Sequence, residues 1–504
     1  MLTPVRSSGS ATLRALRTVE SANVVLGAMR ALRLVKRIFL GLVGAILGVY
    51  LVFAIGLTVL NWIVRENPRI DESVLAHSTA PHAITHFDQG AASFQRRLEL
   101  IAAARKSIAL EFFIYDVDDA SRLLTQALIK RAREGVQVRI LVDFSAPVFK
   151  LKPAYARLLG EAGVQVRYYN TSAVYRLVSI QHRSHRKLLI IDEATVLTGG
   201  RNIANDYFDL SDHYNFLDSD LEVTGPIVEM VLRSFDVYWN SRLATKPSLD
   251  SDPSDEAARF VIPQANDVAL LERLRAVGES YRQSHQAHEC RDLRFVTDFP
   301  NQGEKSRNVF NAIVEELRLA KHEAVVESPY FVIKSGGYAV LEDLHKRGVR
   351  VRVLTNSLAS TDASYAVAAL YPRLGSLAAT GLTLAAYGGM PLPPQSTNLL
   401  GGTPRWGVHS KRGVIDGETT LLGTYNVDPR SANLNSELML VCRGQKDLAA
   451  EVLASIAARE AAASKVIDSG TIVQRSALIG SSPLAHRIRF LLEMPIANLF
   501  DFLL

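Results

Sequence analysis

Apolar and polar positions repeat in the same order twice along the chain. EFFIYD at Glu111–Asp116 and ESPYFV at Glu327–Val332 each follow a stretch with helical apolar spacing and read as strands. Each is followed by a second helical stretch, LLTQALIKRAREG and AVLEDLHKRG, ending at Gly135 and Gly348, which suit helix C-termini. VQVRILVD and VRVRVLTN come next and alternate with the period of a strand. Strands separated by helices predict βαβ units and a parallel or mixed sheet in each copy. The fold class expected is α/β, as an internal duplication.

Three further segments stand apart from the repeat. Ile38–Val64 is a nearly unbroken apolar run with one internal asparagine, Asn61, and is long enough to cross a bilayer, which takes about 20 residues. Residues 246–285 are charged and helical in places and read as the connection between the copies. Pro483–Leu504 carries clusters of Phe, Leu, Met and Ile interrupted by Pro495. It is too short to span, and reads either as an element lying at a membrane interface or as a helix packed on the domain.

Charge changes the picture in one respect. The net charge of the 504 residues is +6. Residues 1–37 hold seven basic groups and one acid, so they carry all of it and the rest of the chain is formally neutral. That argues against a duplex-binding domain, which needs a basic face on its folded part. Basic groups ahead of the apolar run predict a cytoplasmic N-terminus and an uncleaved anchor, with everything beyond residue 65 outside, in a periplasm or its equivalent; a cleaved signal peptide is the alternative. The two cysteines, Cys290 and Cys442, lie far apart and are expected as unpaired, buried thiols. No Cys/His cluster has metal-ligand spacing, so neither a metal nor another cofactor is expected.

The pattern His-x-Lys-(x)4-Asp occurs twice, at His185, Lys187 and Asp192 and at His409, Lys411 and Asp416. Each copy leads at equal spacing to a turn and an asparagine, Asn202 after Gly199-Gly200 and Asn426 after Gly423-Thr424. Alternation along a strand puts each His and Lys on one face and the Asp on the other. His and Lys are therefore read as chemistry, and Asp192 and Asp416 as scaffold. Two intact copies point to one active site built from two halves.

These residues resemble the phospholipase D superfamily. GGRNIANDYFD, SDLEVTGP and SFDVYWNS after the first motif, and YNVDPRSANLNSE after the second, are similar to its bacterial cardiolipin synthase branch, particularly the shorter type-C-like members. The resemblance implies two phospholipase D-like αβ halves, 86–245 and 286–445, forming one site. The remaining plan is a basic leader (1–37), a transmembrane anchor (38–64), a linker (65–85), the connection (246–285) and a helical tail (446–504). It implies a phosphohistidine intermediate, with His185 as nucleophile, His409 as acid–base, and the lysines and asparagines neutralising phosphate oxygens. Asp220 and Glu437 occupy the places of orienting acids, and Arg201 is a candidate contact for a headgroup phosphate. Tyr207, Phe208 and Trp239 are weaker candidates for a lipid pocket.

The expected function is phosphatidyl transfer between anionic phospholipids, most simply two phosphatidylglycerols giving cardiolipin and glycerol. Phospholipase D hydrolysis to phosphatidate is the alternative. A nuclease and a non-enzymatic lipid-binding scaffold follow, with the anchor favouring lipid over nucleic acid.

Overall fold

In the computed structural model the described residues are 32–45, 47–49, 76–145, 148–171, 182–247, 255–300, 307–390, 392, 399 and 401–500. The chain divides into two units, Met1–Arg65 and Glu66–Leu504. In the first unit residues 32–45 and 47–49 are helical, with exposed apolar side chains such as Leu34, Ile38 and Leu42. Only 38–45 and 47–49 of the expected anchor fall there; the rest of Ile38–Val64 lies outside the described residues. Among the described residues no helix is long and apolar enough to cross a membrane.

The second unit contains two large mixed sheets of the same design. In the first, Ser107–Phe112, Gln137–Asp143 and Gln165–Tyr169 run parallel. In the second the parallel trio is Glu323–Glu327, Arg350–Asn356 and Thr383–Tyr387. Each trio is extended by antiparallel strands that include the run just after a His/Lys motif, Leu188–Ile191 or Arg412–Ile415. Helices Asp119–Arg133 and Ser335–Lys346 make the crossovers. Asp118 and Ser121 close the first of these with reciprocal side-chain hydrogen bonds. Gly135 and Gly348 follow their helices at φ of 91° and 74°, where a side chain would be strained.

The sheets pack face to face. Leu188 and Ile190 share one apolar core with Val325, Val414, Leu422 and Leu440 of the other sheet. Leu189 and Ile191 point the opposite way, into the core beneath the outer helices. All four residues of this strand are buried, which accounts for its unbroken apolar run.

Three expectations need correction. The halves do not separate cleanly, because each sheet takes an edge strand from beyond its expected boundary. Ala76–Ser78, from the expected linker, pairs with Asp292–Thr297 in the second sheet. His288–Cys290 pairs with His82–Phe87 in the first. The exchange covers edges that would otherwise leave a row of N–H and C=O groups open. The tail is not separate either. Lys446–Ala461 buries Leu448, Val452 and Ile456 in the inter-sheet core, and Ala463–Asp468 pairs with Thr383–Tyr387. Helix Leu484–Phe500 sets Phe490 against Tyr371 and accepts a 2.6 Å hydrogen bond at Glu493 from Ser364.

Cys290 and Cys442 are not thiols. They form a disulfide across 152 residues. The strand exchange is what brings them together, since Cys290 belongs to a first-sheet strand and Cys442 to a second-sheet strand. The bond therefore ties sheet to sheet. Replacing either cysteine with serine should lower unfolding stability by about 2–4 kcal/mol, because so long a loop loses its constraint in the unfolded chain. Denaturant melts with and without reductant check this: the double variant should match the single ones, and reductant should lower only the parent.

Candidate active site

Backbone pairing between the halves builds the site. The peptide N–H of His185 donates to Ser436 O at 2.9 Å, and Ser436 N–H returns a bond to Arg183 O at 2.8 Å. In the other direction, Arg405–Val408 pairs in parallel with Tyr214–Leu217, and His409 N–H donates to Leu217 O at 2.8 Å. Each histidine is thus hydrogen-bonded to the residue just before a carboxylate of the opposite half. Glu437 follows Ser436, and Asp218 follows Leu217.

The side chains complete this crosswise arrangement. His185 Nδ1 lies 3.0 Å from Glu437 Oε2, and His409 Nδ1 lies 2.5 Å from Asp218 Oδ2. A carboxylate on Nδ1 holds the proton there and leaves Nε2 with its lone pair. Thr424 Oγ1 and Ser431 Oγ donate to Glu437 at 2.6 and 2.7 Å, fixing its carboxylate.

Asp220, expected as an orienting acid, is not the carboxylate on either histidine. Its Oδ2 instead faces Ser93, Arg97 and Arg201 at 2.6, 3.1 and 2.9 Å. Register explains the shift: Gly199 pairs with Asp220 and Gly423 with Met439, so the counterpart of Glu437 lies two residues before Asp220. Gly200 permits it, because a Cβ there would sit 2.1 Å from Asp218 Oδ1. Arg201 is corrected as well. It is fully buried, and its guanidinium donates to Asp220 and to the carbonyls of Phe87, Asp88, Tyr207 and Asp218. It anchors the Asp218 turn and has no face turned to a substrate.

The other named residues fall in three groups. Asn202 Oδ1 accepts from Ile114 N–H at 3.1 Å, while no described donor reaches the buried Asn426 Oδ1. Both asparagine turns are tied to the segment after a parallel strand, through the bridges Tyr115–Ile203 and Phe331–Val427. Asp192 and Asp416 lie at the far ends of their strands and each accept three backbone N–H groups, from residues 105–107 and 321–323. Phe208 and Trp239 are core residues, but Tyr207 and Phe216 flank the His409 ring at 5.1 and 4.6 Å.

Burial and the two lysines set the charges. Lys187 Nζ donates to His185 O at 2.7 Å, and Lys411 Nζ lies 3.0 Å from His409 Nε2. Burial, then the charge of Lys411, pulls Lys187 down to about 7; burial brings Lys411 to about 8. Burial lowers His185 to about 4 and His409 to about 3, each opposed by its carboxylate. Burial works against the Asp218 carboxylate, but His409, Lys411 and Arg201 outweigh it and hold it ionised. Each histidine feels the lysines of both motifs, so the two sets face one another. The site brings two neutral, oriented imidazoles together with two buried lysines, a set that suits an anionic diester. Among the described residues no group of three or more His, Cys, Asp or Glu is arranged to hold a metal ion.

This two-motif site on a duplicated mixed sheet matches a known class. The family model described as "Cardiolipin synthase, PLD-like domain" matches residues 98–239 and 313–459, and the chain belongs to that phospholipase D-like family. Cardiolipin synthase C of Escherichia coli K12 is 28% identical over 385 residues, which cover 70% of this chain and 80% of that protein. The major cardiolipin synthase ClsA of Bacillus subtilis 168 is 26% identical over 364 residues, 71% of this chain and 65% of that one. The crystal structure of phosphatidylserine synthase from Haemophilus influenzae Rd KW20 shares the fold, with a TM-score of 0.59 at 16% identity over 84% of this chain and 95% of that one.

Asp218 and Asp220 should separate cleanly on mutation. Asp218→Asn removes the orienting charge at His409 and should cut kcat/KM by roughly 10²–10⁴-fold with little change in the unfolding midpoint. Because Asp218 raises the pKa of Lys411, the alkaline fall of kcat/KM should also move to lower pH in this variant. Asp220→Asn leaves Arg97 and Arg201 short of a buried counter-charge and should cost about 3–5 kcal/mol of stability. Denaturant melts run beside pH profiles check both.

Proposed function

We propose that the protein is a membrane-bound phosphatidyltransferase of the phospholipase D type, acting as a cardiolipin synthase. The crosswise pairing of each histidine with the other half's carboxylate carries this reading. It supplies two oriented imidazoles with two lysines beside them, which suits double displacement at a phosphodiester.

In the first step His185 Nε2 attacks phosphorus. The phosphorus–oxygen bond to the headgroup alcohol breaks, and His409 gives that oxygen its proton. In the second step the acceptor hydroxyl loses its proton to His409, its oxygen attacks phosphorus, and the phosphorus–nitrogen bond breaks to free His185. Lys187 and Lys411, with the amides of Asn202 and Asn426, balance charge on the phosphoryl oxygens. An anionic diester between the lysines offsets their repulsion of a protonated imidazole, so binding itself favours the charged form of His409. One phosphodiester replaces another, so transfer needs no nucleotide and runs in either direction. Hydrolysis uses the same steps with water as acceptor.

Purified protein in phosphatidylglycerol vesicles should release cardiolipin and glycerol in equal amounts, and added glycerol should drive the reaction backwards. His185→Ala and His409→Ala should each lose at least about 10³-fold, with the double variant no worse, because the pair acts as a unit. Radiolabelled phosphate from the donor should be trapped on the peptide carrying His185. Phosphatidate as the sole product makes the enzyme a phospholipase, and label on His409 reverses the two roles.

The catalytic unit is assigned to the periplasmic side of an inner membrane. The Cys290–Cys442 disulfide supports this, since such bonds persist in oxidising compartments. The basic residues ahead of Ile38–Val64 support it independently. A reporter active only in the periplasm should work when fused after residue 504. Activity of a cytoplasm-only reporter at that place reverses the topology.

A further inference from the structure

The two halves differ at one place that the chemistry above does not use. In the first half, Phe94 of helix Gly90–Ala103 is fully buried against Phe208, with ring centroids 4.7 Å apart. Phe310 stands the same number of residues ahead of its own following strand as Phe94 does. Among the described residues it has no such partner ring. It lines a cavity of about 430 Å³ between helices Asn308–Leu319 and Ser335–Lys346 and the second sheet. Ile313, Leu317, Ile333 and Val340 line it too and are only half-buried.

The cavity runs toward the candidate active site. Tyr425 and Val427, on either side of Asn426, form part of its wall. A smaller apolar crevice shares Ile313, Leu317, Tyr425 and Val427 with it and reaches Lys411. Arg307 lines the cavity with its guanidinium over the Phe310 ring at 5.0 Å, and the exposed Lys334 lines it as well. An apolar space of this size is unfavourable to fill with water and falls within the roughly 300–1,000 Å³ typical of ligand sites. An anionic head held at Lys411, beside cationic groups, leaves this space to an uncharged aliphatic tail.

We propose that this second-half cavity holds one acyl chain of a phospholipid bound at the candidate active site. The proposal rests on the lipid reading of that site and adds a chain-length preference that comes from one half only. Among the described residues of the first half, the Phe94–Phe208 pair occupies the equivalent place.

Val340→Trp and Ile313→Trp fill the cavity from half-buried positions. Each should lower the ratio of kcat/KM for dioleoyl- to dihexanoyl-phosphatidylglycerol at least tenfold, measured in mixed micelles at fixed surface fraction. Val268→Trp, on an exposed position of the connecting helix, should leave the ratio unchanged. Turnover of the short lipid shows that a variant is folded, and the fluorescent fatty acid cis-parinarate gives a second readout by direct titration. The parent should bind the probe, and both filled variants should bind it at least tenfold more weakly. An unchanged ratio in both folded variants overturns the proposal. If the parent turns over neither lipid, the lipid reading fails, and the titration decides alone: lost probe binding keeps the cavity as an aliphatic-chain site, and equal binding in parent and variants overturns it.

Discussion

Neither half can orient its own histidine. Glu437 is held for His185 and Asp218 for His409, and each carboxylate arrives because the residue before it is hydrogen-bonded to the histidine's peptide N–H. Backbone pairing between halves and side-chain orientation are thus one constraint. Much of the surrounding structure serves it. The inter-sheet core sets the halves face to face, Gly200 clears room for Asp218, and Arg201 with Asp220 braces the turn beneath it. A shift of about 1 Å between the sheets would loosen both imidazoles together, and loosely held catalytic groups cost rate steeply.

The electrostatic design follows from the same packing. Burial lowers both lysines, and the charge of Lys411 lowers Lys187 further, so both give up protons more readily than free lysine. Under the proposed function, a bound phosphodiester would offset the charge of both lysines. Neutral imidazoles in the free state fit this picture, because a protonated pair would add to the repulsion.

Much of this was legible in the sequence where local rules suffice. The two His/Lys/Asn sets, the buried Leu188–Ile191 run and the helix-ending glycines follow from spacing and side-chain type. Glu437 was legible through resemblance. Its counterpart was not, because Asp218 and Asp220 sit two apart and alternation gives them the same face; only strand register separates them. Arg201 looked like a ligand contact because it adjoins Asn202, yet its direction depends on burial beneath four carbonyls. The disulfide was hidden by its 152-residue span, since the two cysteines meet only after edge strands are exchanged between sheets. The tail was misread at residue 445 because a strand closing a sheet edge looks like any short polar–apolar segment.

Chain order gives the crosswise carboxylates one more meaning. His185 and Glu437 are 252 residues apart, which at about 5–20 residues per second is on the order of tens of seconds of synthesis. A nascent chain that has just released its first motif has no acid to align it and no second imidazole to work with. The first half therefore stays inert by itself, and reactivity begins only once the last carboxylate has emerged.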